Sequence, residues 1–260
     1  MSQSDIPVVI LCGGMGTRMR EETEFKPKPM VEIGGRPILW HIMKVYAQHG
    51  FHRFILCLGY KGNIIKDYFV NYEAMSNDFT IHLGRQHQVA FQSDHAEQNF
   101  EITLVDTGLR TMTGGRVKRV ERFVDTDTFM VTYGDGLADV DISALVDFHT
   151  SHGKLATLTA TRPPSRYGLL DLSEDGQVTQ FREKVQADWI NGGFMVFNRR
   201  VFDYLDSECV LENEPLERLA AEGQLTAFRH HGFWIGMDTY REYEMLNQMW
   251  DADNAPWRVW

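Results

Sequence analysis

Three glycines in four residues, Gly13-Gly14-Met15-Gly16, followed by Thr17-Arg18, come directly after the first apolar run, which ends Leu11-Cys12. A loop of this kind can turn backbone N–H groups inward and approach an anion with no Cβ in the way. A guanidinium at Arg18 could then meet a phosphate through two parallel donors. The loop is neither of the two commonest phosphate motifs: no Gly-Lys-Ser/Thr closes it, and Met19 stands where a dinucleotide fingerprint has its third glycine. The other reading is a tight turn that merely ends a strand. Further on, Pro27-Lys28-Pro29-Met30 holds one ammonium between two rings that fix φ. That arrangement confines the lysine backbone to extended geometry and presents a positioned charge, although the same composition is common in surface loops.

Carboxylates recur at the ends of apolar runs. The run 129–133 leads into Gly134-Asp135-Gly136, and Trp234-Ile235-Gly236-Met237 leads into Asp238-Thr239. A carboxylate with small neighbours at a strand end suits a hard cation that keeps several waters, such as Mg²⁺. Asp135 could equally be a turn residue, and Asp238 the N-cap of a final helix. Gly114-Gly115 before Arg116, Gly168, and Asn191-Gly192-Gly193 each allow either a close ligand approach or a turn. Between the last two, Arg182-Glu183-Lys184 is a charged cluster or a solvated strand end. No Ser-His-Asp set and no paired acid and base stand out. His41, His149, His152 and His230-His231 read as packing or surface residues; His149 and His152 could share a helix face but lack a third metal ligand.

These residues need elements to position them. Apolar, β-rich runs at 8–12, 54–58, 102–105, 129–133 and 155–161 alternate with helical patterns at 38–48, 63–72, 115–123 and 141–152. Continuous rather than alternating apolar strands indicate a sheet covered on both faces. The expectation is an α/β fold, a Rossmann-like, mainly parallel mixed sheet sandwiched by helices, whose ligands sit at the carboxyl ends of the strands. Strands at 169–172, 194–197 and 227–237 are expected to extend that one sheet, before a helix at 240–250. No linker, repeat or low-complexity tract divides the chain, so residues 1–260 read as one domain. The polar, His- and Gln-rich stretch 73–100 reads as a hairpin excursion serving as a lid, a subunit contact or a mobile loop.

Composition sets the boundary conditions. The chain has 260 residues, 43% of them hydrophobic and 24% charged, with a formal net charge of −10. That suffices for a sizeable core and argues against broad binding to nucleic acid or an anionic membrane. Any anionic ligand must be met by cations concentrated at its site. Cys12, Cys57 and Cys209 form no C-x-x-C pair, and no apolar run approaches membrane length, so a cytoplasmic, reducing location is expected.

Taken in order, Gly13-Gly-x-Gly-Thr-Arg18, Pro27-Lys-Pro-Met30, Gly34-Gly-Arg-Pro-Ile38, Gly134-Asp-Gly136, Glu183-Lys184, Asn191-Gly-Gly193 and Met237-Asp-Thr239 resemble the sugar-1-phosphate nucleotidyltransferases. The stretches 28–35, 38–44, 104–108, 112–115, 147–149 and 255–257 are similar to the branch that acts on CTP and glucose 1-phosphate. The resemblance implies a Mg²⁺-dependent in-line transfer to a sugar 1-phosphate, and a homo-oligomer. By position it assigns Arg18 and Lys28 to catalysis at the phosphates. Leu11, Gly13, Gly14, Met15, Gly16, Thr17, Thr111, Gly115 and Arg116 would take the nucleotide. Gly168, Lys184, Asn191 and Gly192 would take the sugar phosphate, and Asp135 and Asp238 the metal.

Overall fold

The structure is a computed structural model that describes residues 5–16, 19, 23–82, 88–92, 95–163, 169–182 and 188–260. Its main sheet has seven strands: β1 (Val8–Cys12), β2 (Arg53–Leu58), β3 (Glu101–Asp106), β4 (Thr128–Tyr133), β5 (Ala156–Thr161), β6 (Ile190–Asn198) and β7 (Leu225–Arg229). They lie in the order β7-β5-β6-β4-β1-β2-β3. Within it β6 alone runs against its neighbours; the pairs β1–β2, β1–β4, β2–β3 and β5–β7 are parallel. The mixed, mainly parallel sheet anticipated from the apolar runs is therefore the one observed.

Successive side chains on a strand point to opposite faces, and both faces are apolar here. Val8, Ile10 and Cys12 join Phe54, Leu56 and Met130 under α1 (Ile38–Gln48), α4 (Ile142–His152) and α6 (Tyr240–Asp251). Val9 and Leu11 join Ile55, Cys57 and Val131 under α3 (Thr113–Arg119) and α5 (Glu214–Ala221), while α2 (Gly62–Val70) follows β2. Asp141 starts α4 as expected, its Oδ1 accepting from the Ala144 N–H at 2.9 Å. Among the described residues no helix is long and apolar enough to cross a membrane.

The C-terminal third departs from expectation. Only 190–198 and 225–229 join the main sheet. Leu169–Leu172 pairs instead with Val178–Arg182 in a separate antiparallel hairpin. The run 227–237 is two strands, because His230, His231 and Gly232 interrupt its apolar pattern and lead the chain away to pair Trp234–Gly236 with Gly136–Ala138. Helix α5 is missed by sequence reading since only Pro215, Leu216 and Leu219 of it are buried. Within 73–100, Phe79–His82 and Gln88–Phe91 form an antiparallel hairpin.

Candidate active site

The chain lays β2 on one side of β1 and later β4 on the other, which opens a crevice at the carboxyl ends of β1 and β4. A cavity of about 640 Å³ lies there, within the range of small-molecule sites. Its walls bring together Leu11, Gly13, Gly14, Met15 and Gly16 from the loop after β1, Thr111 and Arg116 from the segment after β3, and Lys28, Asp135 and Asp238. Gly115, Asn191 and Gly192 are not on its wall. Thr17, Arg18, Gly168 and Lys184 lie outside the described residues.

The two acids meet, although 102 residues separate them along the chain. The short ladder between Gly136–Ala138 and Trp234–Gly236 pairs Gly136 with Gly236, and the Met237 N–H donates to the Asp135 carbonyl at 2.9 Å. That register sets Asp135 and Asp238 side by side at the cavity. Asp238 does not cap α6; that place belongs to Thr239, and the Glu242 carboxylate accepts from the N–H groups of both residues at 2.8 and 2.7 Å. Lys28 lies between the acids, its Nζ donating to Asp135 Oδ2 at 2.6 Å and Asp238 Oδ1 at 2.8 Å. Burial draws the ammonium's pKa down, but the two carboxylates more than offset this and raise it. The lysine is not held extended, as its flanking prolines led us to expect. It opens a turn of 3₁₀ helix, Lys28–Met30, where Pro29 occupies an early position that needs no N–H.

A cation already fits between these carboxylates, each of which is about one-third exposed (34% and 33%) toward the cavity. Among the described residues no cluster of three or more His, Cys, Asp or Glu could hold a metal. Two carboxylates leave most of a coordination shell to phosphate oxygens and water, the pattern suited to Mg²⁺ rather than to a closed protein cage.

Arg116, expected at the nucleotide, borders the cavity with its guanidinium committed elsewhere. Nη1 donates to the carbonyls of Leu58 and Gly108 and to Thr107 Oγ1 at 3.1, 2.8 and 2.8 Å, and Nη2 to the Gly13 carbonyl at 3.0 Å. It therefore ties the glycine loop to the segment after β3. Gly13 is required for this: a Cβ there would sit 2.1 Å from Arg116 Nη1. The Gly115 N–H is likewise used within the protein, donating to the Cys209 carbonyl at 3.0 Å.

On the other side of the cavity stands Tyr133, which sequence reading overlooked. Beyond it Asn191 Oδ1 accepts from the Gly193 N–H at 2.9 Å, and the Gly192 carbonyl accepts from Trp234 Nε1 at 2.6 Å. The Tyr133 hydroxyl donates to Glu212, also unanticipated. Glu212 belongs to no local motif and reaches the site only through contacts across the fold, so no spacing in the sequence could reveal it.

The comparisons agree with this geometry. The family model described as nucleotidyl transferase matches residues 7–235. A glucose-1-phosphate cytidylyltransferase of Salmonella typhi is 53% identical over 97% of this chain and 98% of its own length. A probable glucose-1-phosphate cytidylyltransferase of Bacillus subtilis is 44% identical over 97% and 99%. The crystal structure of HddC from Yersinia pseudotuberculosis complexed with GMP-PN superposes with a TM-score of 0.68 at 23% identity, covering 94% of this chain and 99% of that one, which is a likeness of fold. With glycine loop, lysine and acid pair gathered at one crevice, the chain belongs to the nucleotidyl transferase family, as a sugar-1-phosphate nucleotidyltransferase.

Proposed function

We propose that the protein transfers a cytidylyl group from CTP to α-D-glucose 1-phosphate, forming CDP-glucose and pyrophosphate, with Mg²⁺ as its divalent cation. The observation that carries this reading is 53% identity across 97% of the chain to a protein named for that reaction. A sugar phosphate oxygen attacks the α-phosphorus of CTP, the bond from that phosphorus to the bridging oxygen breaks, and pyrophosphate departs. The nucleophile is already an anion at neutral pH, so no general base is needed. The barrier lies in crowding two anions, and positioning with charge neutralisation lowers it.

Asp135 and Asp238 would hold the Mg²⁺, which neutralises phosphate charge and orients the triphosphate when bound. Lys28 supplies a second positive charge beside them, and Arg18, by its place in the motif, a third. The Gly13 to Gly16 main chain accepts the triphosphate at close range, and Leu11, Met15 and Thr111 border the nucleoside. Arg116 holds that loop in shape. Asn191 and Gly192 serve the sugar phosphate on the far side of Tyr133, and Gly168 and Lys184 are assigned to the same ligand by their place in the sequence motifs.

Residues 1–260 would act as one unit, in a homo-oligomer. Phe79 and Ile81 pair with Phe91 and Val89, placing four apolar side chains, each 42–43% exposed, on one face of the hairpin. A two-stranded hairpin with such a face is marginal alone in water, and a second copy would cover it. Free thiols at Cys12, Cys57 and Cys209 fit a reducing cytoplasm.

The test is a grid of CTP, UTP, dTTP and GTP against several sugar 1-phosphates, with pyrophosphate release and the nucleotide sugar as readouts. CTP with glucose 1-phosphate is expected to give the highest kcat/KM. A higher value for another pair would reassign the substrates, and no pyrophosphate from any pair would refute the reaction.

A further inference from the structure

Tyr133 forms the joint between the nucleotide cavity and the strand that carries Asn191. It ends β4 two residues before Asp135 and borders the cavity. On its other side Gly193, at φ 81°, brings backbone against the ring; a Cβ there would lie 2.5 Å from Tyr133 Cδ2. Burial, together with the adjacent Glu212 charge, pushes the Tyr133 phenol far above its ordinary pKa, so it remains a donor to Glu212 Oε1. The other Glu212 oxygen accepts from Thr113 Oγ1 at 2.6 Å. Thr113 is the first residue of α3 and itself lines the cavity at the end of the 109–113 loop. A carboxylate only accepts hydrogen bonds, so this one side chain takes both hydroxyl protons at once. It does not line the cavity itself.

We propose that Glu212 is a positioning residue: by gripping Thr113 with one oxygen and Tyr133 with the other, it sets the spacing between the bound nucleotide and the sugar phosphate. The inference rests on the nucleotidyl-transfer reading above. Two anions must be held in line and close together for the reaction, and small errors in their relative placement are costly. Releasing Tyr133 loosens the joint without removing a group that touches CTP. The effect therefore falls on turnover and on the KM for the sugar phosphate, while CTP affinity is largely kept. If Glu212 merely fastened the 206–212 segment, its loss would lower thermal stability, and removal of the Tyr133 hydroxyl would leave catalysis unchanged.

The experiment compares wild type with Glu212→Gln, Glu212→Ala, Tyr133→Phe and the double variant Glu212→Gln/Tyr133→Phe in the full chain. Steady-state kinetics with CTP and glucose 1-phosphate, calorimetric CTP binding without sugar phosphate, and thermal melts are recorded. Glutamine is isosteric but offers a single acceptor oxygen, so Glu212→Gln is expected to lower kcat roughly tenfold and to hold CTP affinity within about threefold. The double variant should be little worse than Glu212→Gln, because both changes cut one linkage. Kinetic constants within about twofold of wild type for both Glu212→Gln and Tyr133→Phe, or effects that multiply in the double variant, would overturn the proposal. Should Glu212→Ala fail to fold, the other variants still decide. Wild type inactive on every substrate pair would sink the nucleotidyl-transfer reading and this inference with it; active wild type with unaffected variants would sink the inference alone.

Discussion

Lys28 shows most plainly how single residues divide the work. Its ammonium bridges the two acids at 2.6 and 2.8 Å, the position a metal would compete for. Lys28→Met is therefore expected to tighten Mn²⁺ binding to the nucleotide-free protein by about tenfold, or roughly 1.4 kcal/mol, while kcat/KM falls. A paramagnetic titration checks this, and weaker binding would show that the lysine does not compete. Asp135→Asn should abolish turnover with the melting temperature kept; substantial activity at saturating Mg²⁺ would remove Asp135 from the metal site. Gly13→Ala must expel the Arg116 guanidinium, whose Nη1 would lie 2.1 Å from the new Cβ, and so takes the Arg116 donor from the Gly108 carbonyl. A loss of about 1–3 kcal/mol in chemical denaturation is expected, with a raised KM for CTP. Lys28, Asp135 and Asp238 were legible in the sequence because each sits in a short motif of Gly or Pro. The role of Arg116 was not, because a guanidinium beside glycines looks the same whether it faces a phosphate or its own backbone.

At the level of elements, the five leading strands were readable to within a residue or two at each end, since buried parallel strands are continuous apolar runs between glycine-rich turns. What escaped was pairing. The ladder that brings Asp135 to Asp238 spans three residues on each side and has no periodicity to detect. The hairpin 79–91 showed only partial alternation, and its apolar face becomes evident once Phe79 is seen opposite Phe91. Replacing 79–91 by a short Gly-Ser turn is expected to reduce the assembly mass measured by light scattering, and an unchanged mass would place the contact elsewhere. The C-terminal segment is a second case. Trp257 is fully buried, and its Nε1 donates to His41 Nδ1 at 3.3 Å while His41 Nε2–H donates to the Ile33 carbonyl at 2.9 Å. Trp257→Ala should cost about 3–5 kcal/mol by denaturant titration.

For the whole molecule, acid should act through two buried histidines. His41 is held at a pKa of about 4 by burial, against which its bond to Ile33 works, and His149 at about 4 by burial and then by His152. Both folded values lie below the ordinary 6.5, so the unfolded chain binds more protons as the pH drops. Their contribution is complete above about pH 6.5 and lost between 6.5 and 4, at most roughly 3 kcal/mol for each. His41→Gln should flatten part of that decline in a pH series of unfolding curves, and an unaltered slope would contradict it. The histidines also join distant parts of the chain. Lys28 leads through its turn to α1 and His41, His41 meets Trp257, and the chain runs back through α6 to Asp238, which returns to Lys28. This closed circuit has a consequence for biosynthesis. A nascent polypeptide stalled on the ribosome before residues 238–257 have emerged can assemble most of its strands, yet has neither the second acid nor the indole that completes the circuit. Capacity to hold nucleotide should therefore arise abruptly, once residues 238–257 have cleared the exit tunnel.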